Sequence, residues 1–245
     1  MPRRGPLGQP EGMTLQPGAV TAGRHPQSAP RSRHRPGDRR AWLIPAGLIL
    51  LALVPVAAGA MRLTGFVVGA EVTEGNARFF DSPVPVIAHI IGATVYCLLG
   101  AFQFVPQLRR RRWHRISGRI LVPAGLVAAL SGMWMAVFYP RPELDMFVRL
   151  GFGGAMAVCI VLGLRAILRR QVASHRAWMI RGYAIGIGAG TQVFTALAWA
   201  LLTGGAAPDP TTMVALMAAA WLINLAVAEA VIRRAGRAPV ASMST

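Results

Sequence analysis

Long apolar runs, separated by short polar connections, fill the chain from residue 41 almost to its end. Each run is about 20 residues long, which is the length a helix needs to cross a hydrocarbon layer of ~30 Å. The runs are continuous and lack the alternation of apolar and polar residues that is typical of barrel strands. Helices, and not a β-barrel, are therefore expected to satisfy the backbone hydrogen bonds in lipid. The pattern predicts an all-α fold, a polytopic transmembrane helix bundle of about six spans, at residues 42–61, 84–104, 120–139, 147–168, 177–202 and 213–232.

Composition divides the chain into three predicted segments. Residues 1–40 hold seven Pro, six Gly and eight Arg but few large apolar side chains, so we expect a disordered cytoplasmic tail. Residues 41–233 are predicted to form the transmembrane helical domain, and residues 234–245 a short cytoplasmic tail. With 54% hydrophobic residues and a mean hydropathy of +0.47, the chain is too apolar for a soluble protein.

Charge orients the predicted spans. All 26 basic residues are arginines; 22 of them fall on one side of the membrane and four on the other, which also carries six of the nine acidic residues. The positive-inside rule then places the arginine-rich side and both termini in the cytoplasm, in a multi-pass protein of the inner (plasma) membrane. Because the arginines cluster between apolar runs, they indicate a lipid bilayer with anionic headgroups as the partner, and not a nucleic acid.

The first span allows a second interpretation. Arg39 and Arg40 precede an apolar run that ends in Ala-Ala-Gly-Ala, as in a twin-arginine signal peptide cleaved near residue 60. The run is longer than the roughly 7–15 residues of a signal-peptide core, which favours an uncleaved anchor.

The second and third spans share a pattern with the fourth and fifth. In each pair, an apolar helix is followed by an arginine-rich turn and then by a His-Arg pair that opens the next helix, His114-Arg115 in the first copy and His175-Arg176 in the second. The similarity predicts a parallel repeat of spans 2–3 and 4–5, with the two His-Arg pairs at the same depth.

Several of these motifs resemble those of a bacterial family. The chain is similar, over residues 80–195, to uncharacterised integral membrane proteins grouped as domain of unknown function 2306. The resemblance rests on His89, on Gly-Ala-Phe-Gln-Phe at 100–104, on His-Arg-Ile-Ser-Gly-Arg at 114–119 and on His-Arg-Ala-Trp-Met-Ile-Arg at 175–181. It implies a polytopic helical protein and no particular activity.

Two helical faces carry polar residues predicted to face the bundle interior. In the second span, steps of three, four and seven residues align His89 with Tyr96, Gln103 and two glycines. In the fifth span, Gln192 shares a side with Arg181. These residues form either a packing seam with interhelical hydrogen bonds or the lining of a ligand-filled cavity.

The two His-Arg pairs form a more specific candidate site than these polar faces. If His114 and His175 meet on the cytoplasmic side, their imidazoles would hold a b-type haem, and nearby arginines would neutralise its propionates. His89 is a third ligand candidate. The alternative without a ligand is that these histidines are interfacial residues in positively charged loops, and that Arg181 has Glu229 as its counter-ion. The anion-binding candidates are Arg115, Arg119, Arg176 and Arg181.

No signature of an enzyme is found: the sequence has no Walker loop, GxSxG or HExxH motif. Cys97 and Cys159 stand singly in apolar runs and predict neither a disulfide nor a metal site. The sequence therefore favours a small-ligand or anion-binding helical bundle with a cytoplasmic-side His/Arg site. A b-type haem-binding electron carrier and a non-catalytic lipid-binding or scaffold protein are the alternatives.

Overall fold

The computed structural model describes residues 37–109 and 112–237. Most of the two predicted tails, residues 1–36 and 238–245, lies outside these residues, as do Arg110 and Arg111. The described residues form nine α-helices and one 3₁₀ turn: α1 (Gly37–Val68), α2 (Ala77–Asp81), α3 (Pro83–Ala101), η1 (Phe102–Phe104), α4 (Pro106–Arg109), α5 (Arg112–Phe138), α6 (Glu143–Leu168), α7 (Val172–Gly186), α8 (Gly188–Leu202) and α9 (Pro210–Gly236).

Five or six candidate membrane spans account for most of the described residues. By length and composition, α1, α3, α5, α6 and α9 can each cross a membrane, and the bent pair α7–α8 gives a sixth span if it is counted as one. The described residues contain no strand. The all-α, polytopic bundle of about six spans predicted from the apolar runs is therefore confirmed.

The helices run alternately up and down, which gives the bundle two ends. We call the end at which α1, α5 and α7 begin the arginine-rich side, and the end at which α3, α6 and α9 begin the acidic side. Helix α5 begins at Arg112, well before the apolar run that starts at residue 120, so Arg112, which the sequence placed in the arginine-rich turn, belongs to the helix together with His114 and Arg115.

Neighbouring spans in the chain pack side by side. Helix α3 packs against α1 and α5, and α6 lies between α5 and α7. Helix α9 packs against α7 and α8, and α8 also packs against α1. Helix α9 starts cleanly because the carboxylate of Asp209 accepts hydrogen bonds from the backbone N–H groups of Thr211 and Thr212. Hydrogen bonds from Thr212 hold the pKa of this exposed carboxyl below its usual value.

The fifth span is broken, which the sequence pattern did not predict. Helices α7 and α8 meet at Ile187 with a bend of 47°. Glycines flank the bend, and glycine has a low helix propensity and leaves room for close contacts. The indole of Trp221 lies against Gly188, where an added Cβ would come within 2.2 Å of its Nε1, and this Nε1 donates to the carbonyl of Ile185 at 3.1 Å. The break is thus filled by α9.

Two buried tyrosines close the arginine-rich half of the bundle. The rings of Tyr96 and Tyr183 lie 5.8 Å apart, and the hydroxyl of Tyr183 donates to the Cys97 carbonyl of α3 at 2.7 Å. Gly100 makes this contact close, since a Cβ there would lie 2.6 Å from the Tyr183 ring. Helices α3 and α7 therefore touch in this half.

Candidate functional site

A cavity of about 440 Å³ lies in the half of the bundle toward the acidic side. Helices α1, α3, α5, α6, α8 and α9 contribute to its walls, together with α2, the end of α7 and the α5–α6 connection. Its volume falls within the range of roughly 300–1,000 Å³ seen for small-molecule sites. Most of the lining is apolar, and its polar groups fall into two sets.

The inner set consists of His89, Tyr96 and Gln192, all three of which were candidates from the sequence. The Nδ1 atom of His89 lies 2.8 Å from the carbonyl oxygen of Ala128 on α5. Because a carbonyl only accepts, Nδ1 must carry the proton, and in the neutral ring Nε2 is then an acceptor. A ligand with a hydroxyl or other donor group could use this nitrogen.

The outer set consists of three arginines, Arg78, Arg141 and Arg149. The Asp145 carboxylate binds two of them at once: its Oδ2 lies 2.8 Å from Nη1 of Arg141, and its Oδ1 lies 2.8 Å from Nε of Arg149. Arg141 also donates from Nη2 to the Met135 carbonyl of α5 at 2.9 Å. The α5–α6 connection is therefore held rigidly against both helices that it joins.

The third rim cation, Arg78, stacks over an aromatic ring. Its guanidinium carbon lies 4.8 Å from the centroid of Phe79, and that of Arg62 lies 4.2 Å from the same centroid. Only Arg78 of these two lines the cavity. Beside it, Tyr139 donates to the Ser82 carbonyl at 2.7 Å, and burial raises the pKa of its phenol.

The charges of this rim do not balance. Three guanidiniums line the cavity, no carboxylate does so among the described residues, and Asp145 behind the rim compensates only one positive charge. Low-dielectric walls concentrate such a field inside a cleft. The arrangement can hold a molecule with an anionic end at the rim and an apolar body within.

The sequence missed these rim residues, although it carried a signal for them. Arg62, Arg78, Arg141 and Arg149 are the four arginines on the side that the positive-inside rule leaves poor in arginine. Three of the four line the cavity. The few arginines on the arginine-poor side therefore indicate the position of the cavity better than the arginine clusters on the other side do.

Gln103, the remaining member of the predicted polar stripe, lies away from the cavity. It sits in η1, and its Nε2 donates to the Ser117 hydroxyl at 2.7 Å. Ser117 is buried and also donates to the Trp113 carbonyl at 2.7 Å. Gln103 thus ties η1 to the start of α5.

Arg181 is paired within the chain. Its Nε lies 2.5 Å from one oxygen of Glu229 and its Nη2 lies 3.1 Å from the other, so α7 and α9 are joined by a two-point ion pair. Its guanidinium also lies 4.9 Å from the Trp178 ring. Of the partners considered for Arg181, the structure supplies the intramolecular carboxylate.

His114 and His175 lie at the start of α5 and α7, two helices that α6 separates. The Nδ1 atom of His175 lies 2.8 Å from the Gly163 carbonyl of α6. His114 is half-buried, beside Trp113, whose ring packs edge-on against Phe102. The two imidazoles thus have different surroundings; their pairing around a haem stays a prediction, for which a Soret band of the purified protein is the test.

The other arginine candidates lie at the arginine-rich side. Arg115 and Arg119 are exposed and line a second, smaller cavity of about 150 Å³ with Arg112 and Ile116. Arg176 is exposed on α7. Among the described residues, no group of three His, Cys, Asp or Glu side chains is arranged as a metal site.

Comparison with known proteins gives a family and no closer relative. No curated protein and no solved structure matches the chain. The family described as predicted membrane protein (DUF2306) matches residues 86–232, which include α5, α6, the bent span and most of α3 and α9. The match spans more than half of the sequence and agrees with the resemblance of the His-Arg motifs. The chain therefore belongs to the DUF2306 family of predicted membrane proteins.

Proposed function

We propose that this protein binds a small amphipathic anion in the cavity toward its acidic side. The observation that carries the proposal is a largely apolar cavity of about 440 Å³ whose rim holds three guanidiniums. An anionic carboxylate or phosphate group would lie at the rim, and an apolar chain or ring would lie between the helices. The protein would then act as a membrane-embedded binding protein or carrier.

Two physical arguments support this ligand class. Arginine offers planar, always-charged donors that suit carboxylates and phosphates, and two of the rim guanidiniums are already oriented by Asp145. The apolar walls exclude water, which strengthens the attraction between opposite charges. A free inorganic anion would leave these apolar walls without a partner, so the ligand needs an apolar part.

The proposed site differs from the one that the sequence favoured. The His/Arg pairs at 114–115 and 175–176 lie at the arginine-rich side, whereas the large cavity opens at the other half of the bundle. His89, Tyr96 and Gln192 belong to the proposed site.

Arg78 and Arg62 provide a matched pair of variants for the test. Both stack on Phe79, but only Arg78 lines the cavity. In phosphatidylcholine nanodiscs, we expect pyrenebutyrate to bind the protein more tightly than the uncharged pyrenebutanol. The Arg78→Gln variant should bind pyrenebutyrate about fivefold more weakly, the size of a partly screened charge interaction of ~1 kcal/mol. Fluorescence titration measures both affinities.

Arg62→Gln is the control, and the affinity of this variant for pyrenebutyrate should stay within about twofold of the wild type, since Arg62 does not line the cavity and makes no direct contact with a ligand there. Equal losses in the two variants would show that pyrenebutyrate responds to overall charge and not to the cavity. Equal affinity of the wild-type protein for pyrenebutyrate and pyrenebutanol would show that the cavity does not prefer an anion, and would contradict the proposal.

We also propose a sidedness for the protein: the arginine-rich side faces the cytoplasm of a cell with an inner membrane, and both termini lie there. The support is the distribution of 22 arginines on one side and four on the other. Reporter domains fused after Ala77 or Ala207 should be active only outside the cytoplasm, and a reporter fused after Gln171 only inside. The reverse pattern would contradict this orientation and place the cavity mouth on the cytoplasmic side.

A further inference from the structure

The first two turns of α5 carry three arginines on one face. Arg112, Arg115 and Arg119 follow one another at steps of three and four residues, which brings their side chains to the same side of the helix. Ile116 lies between them. The four residues line the smaller cavity of about 150 Å³ on the arginine-rich side, which we call the α5 groove. All four are exposed.

This arrangement is electrostatically unfavourable by itself. Like charges three or four residues apart on a helix repel each other, and the amino end of a helix disfavours cations because the helix dipole is positive there. The ion pairs among the described residues involve Arg141, Arg149 and Arg181, and none includes an arginine of this groove. An anion bound in the groove would relieve both effects.

The position of the groove along α5 favours a lipid as the source of that anion. From Arg112 to Arg119 the helix rises by about 10 Å, and the apolar run of the span begins directly afterwards. Arginines at this place lie at headgroup depth when the apolar run lies in the hydrocarbon layer. Ile116 and Ile120 are 54% and 49% exposed, and they give an acyl chain an apolar surface beside the arginines on the same helix.

We propose that Arg112, Arg115 and Arg119 form a binding site for the phosphate of an anionic phospholipid, with one acyl chain of that lipid lying on Ile116 and Ile120. The site lies at the opposite side of the bundle from the large cavity and does not depend on its ligand. It anchors the start of α5, the helix that carries Ala128 and the other α5 residues of the cavity wall.

Two triple variants of the full chain test the site. The first changes Arg112, Arg115 and Arg119 to Gln; the control changes Arg169, Arg234 and Arg237 to Gln, which removes the same charge from the same side of the bundle, at the ends of α6 and α9. Native mass spectrometry of the detergent-solubilised proteins, titrated with phosphatidylglycerol or phosphatidylcholine, measures the affinity for each lipid.

Each surface arginine contributes about fivefold to the binding of an anionic lipid, so the α5 triple variant should lose about 100-fold in affinity for phosphatidylglycerol. Its remaining affinity should equal that for phosphatidylcholine. The control triple variant should lose less than about threefold, because none of its three arginines lines the α5 groove. If the α5 triple variant does not fold, the single variant Arg115→Gln carries the test, with an expected loss of about fivefold.

A competition experiment separates a lipid headgroup from a free anion. Inorganic phosphate, compared with chloride at equal ionic strength, should leave the bound phosphatidylglycerol in place, because it makes no contact with Ile116 or Ile120. Displacement by phosphate would overturn the lipid assignment in favour of a soluble anion. Equal losses in the two triple variants, or equal binding of the two lipids by the wild-type protein, would show that the α5 groove is not a specific site.

Discussion

Replacing Gly190 by alanine is expected to lower the melting temperature of the detergent-solubilised protein by about 10 °C. Gly190 lies in the first turn of α8, directly against the backbone of α1, where an added Cβ would come within 2.1 Å of the Leu51 carbonyl oxygen. Backbone atoms cannot rotate away as a side chain does, so α1 and α8 must separate. Overpacking of this kind costs about 3 kcal/mol or more, and ~1 kcal/mol corresponds to about 2–4 °C in a protein of this size.

Gly47→Ala is the matched control, since Gly47 lies on α1 and a Cβ there meets nothing within 4 Å. Because alanine has the higher helix propensity, this variant should be as stable as the wild-type protein or slightly more stable. A thermal shift measured by fluorescence-detected size exclusion compares the two variants. If both keep the wild-type melting temperature, the close approach of α1 and α8 is wrong.

The contrast between these two glycines shows what the sequence could and could not predict. Apolar runs of about 20 residues were sufficient to predict about six spans, because span length is set by the bilayer and is a local property. The break at Ile187 was not predicted, because the run 177–202 is long enough and apolar enough to indicate one continuous span. The bend depends on Trp221 and Leu51, residues of other helices that fill the space left by glycine.

The candidate site was only partly visible in the sequence for a similar reason. His89 and Tyr96 stood out because they share one face of a single span, and helical periodicity shows such a face directly. The rim arginines come from α2, the α5–α6 connection and α6. Only tertiary packing brings these elements to one cavity. The repeated His-Arg motif predicted a shared site at the start of two helices, which stays a prediction, and it contained no information that α6 packs against both α5 and α7.

Asp145, behind the rim, is the most informative residue to change, because it contacts two of the three rim arginines. Its carboxylate holds both Arg141 and Arg149, and the side chains of Asp145 and Arg141 are each only 14% exposed. Asp145→Asn should therefore lower the stability by about 2–3 kcal/mol, since the two guanidiniums lose a charged hydrogen-bond acceptor. A decrease of about 5–10 °C in melting temperature is the expected measurement.

The same variant should bind an amphipathic anion more tightly, although it is less stable. Removing Asp145 leaves the positive charge of the rim uncompensated, so the affinity for pyrenebutyrate should increase about fivefold. Because a ligand stabilises a protein more when it binds more tightly, pyrenebutyrate should also raise the melting temperature of the variant more than that of the wild type. Glu143→Gln removes an acid of the same helix turn that forms no ion pair with a described residue, and it should change neither property. Loss of stability without a gain in affinity would mean that Asp145 only positions the connection and that the rim arginines do not face the ligand.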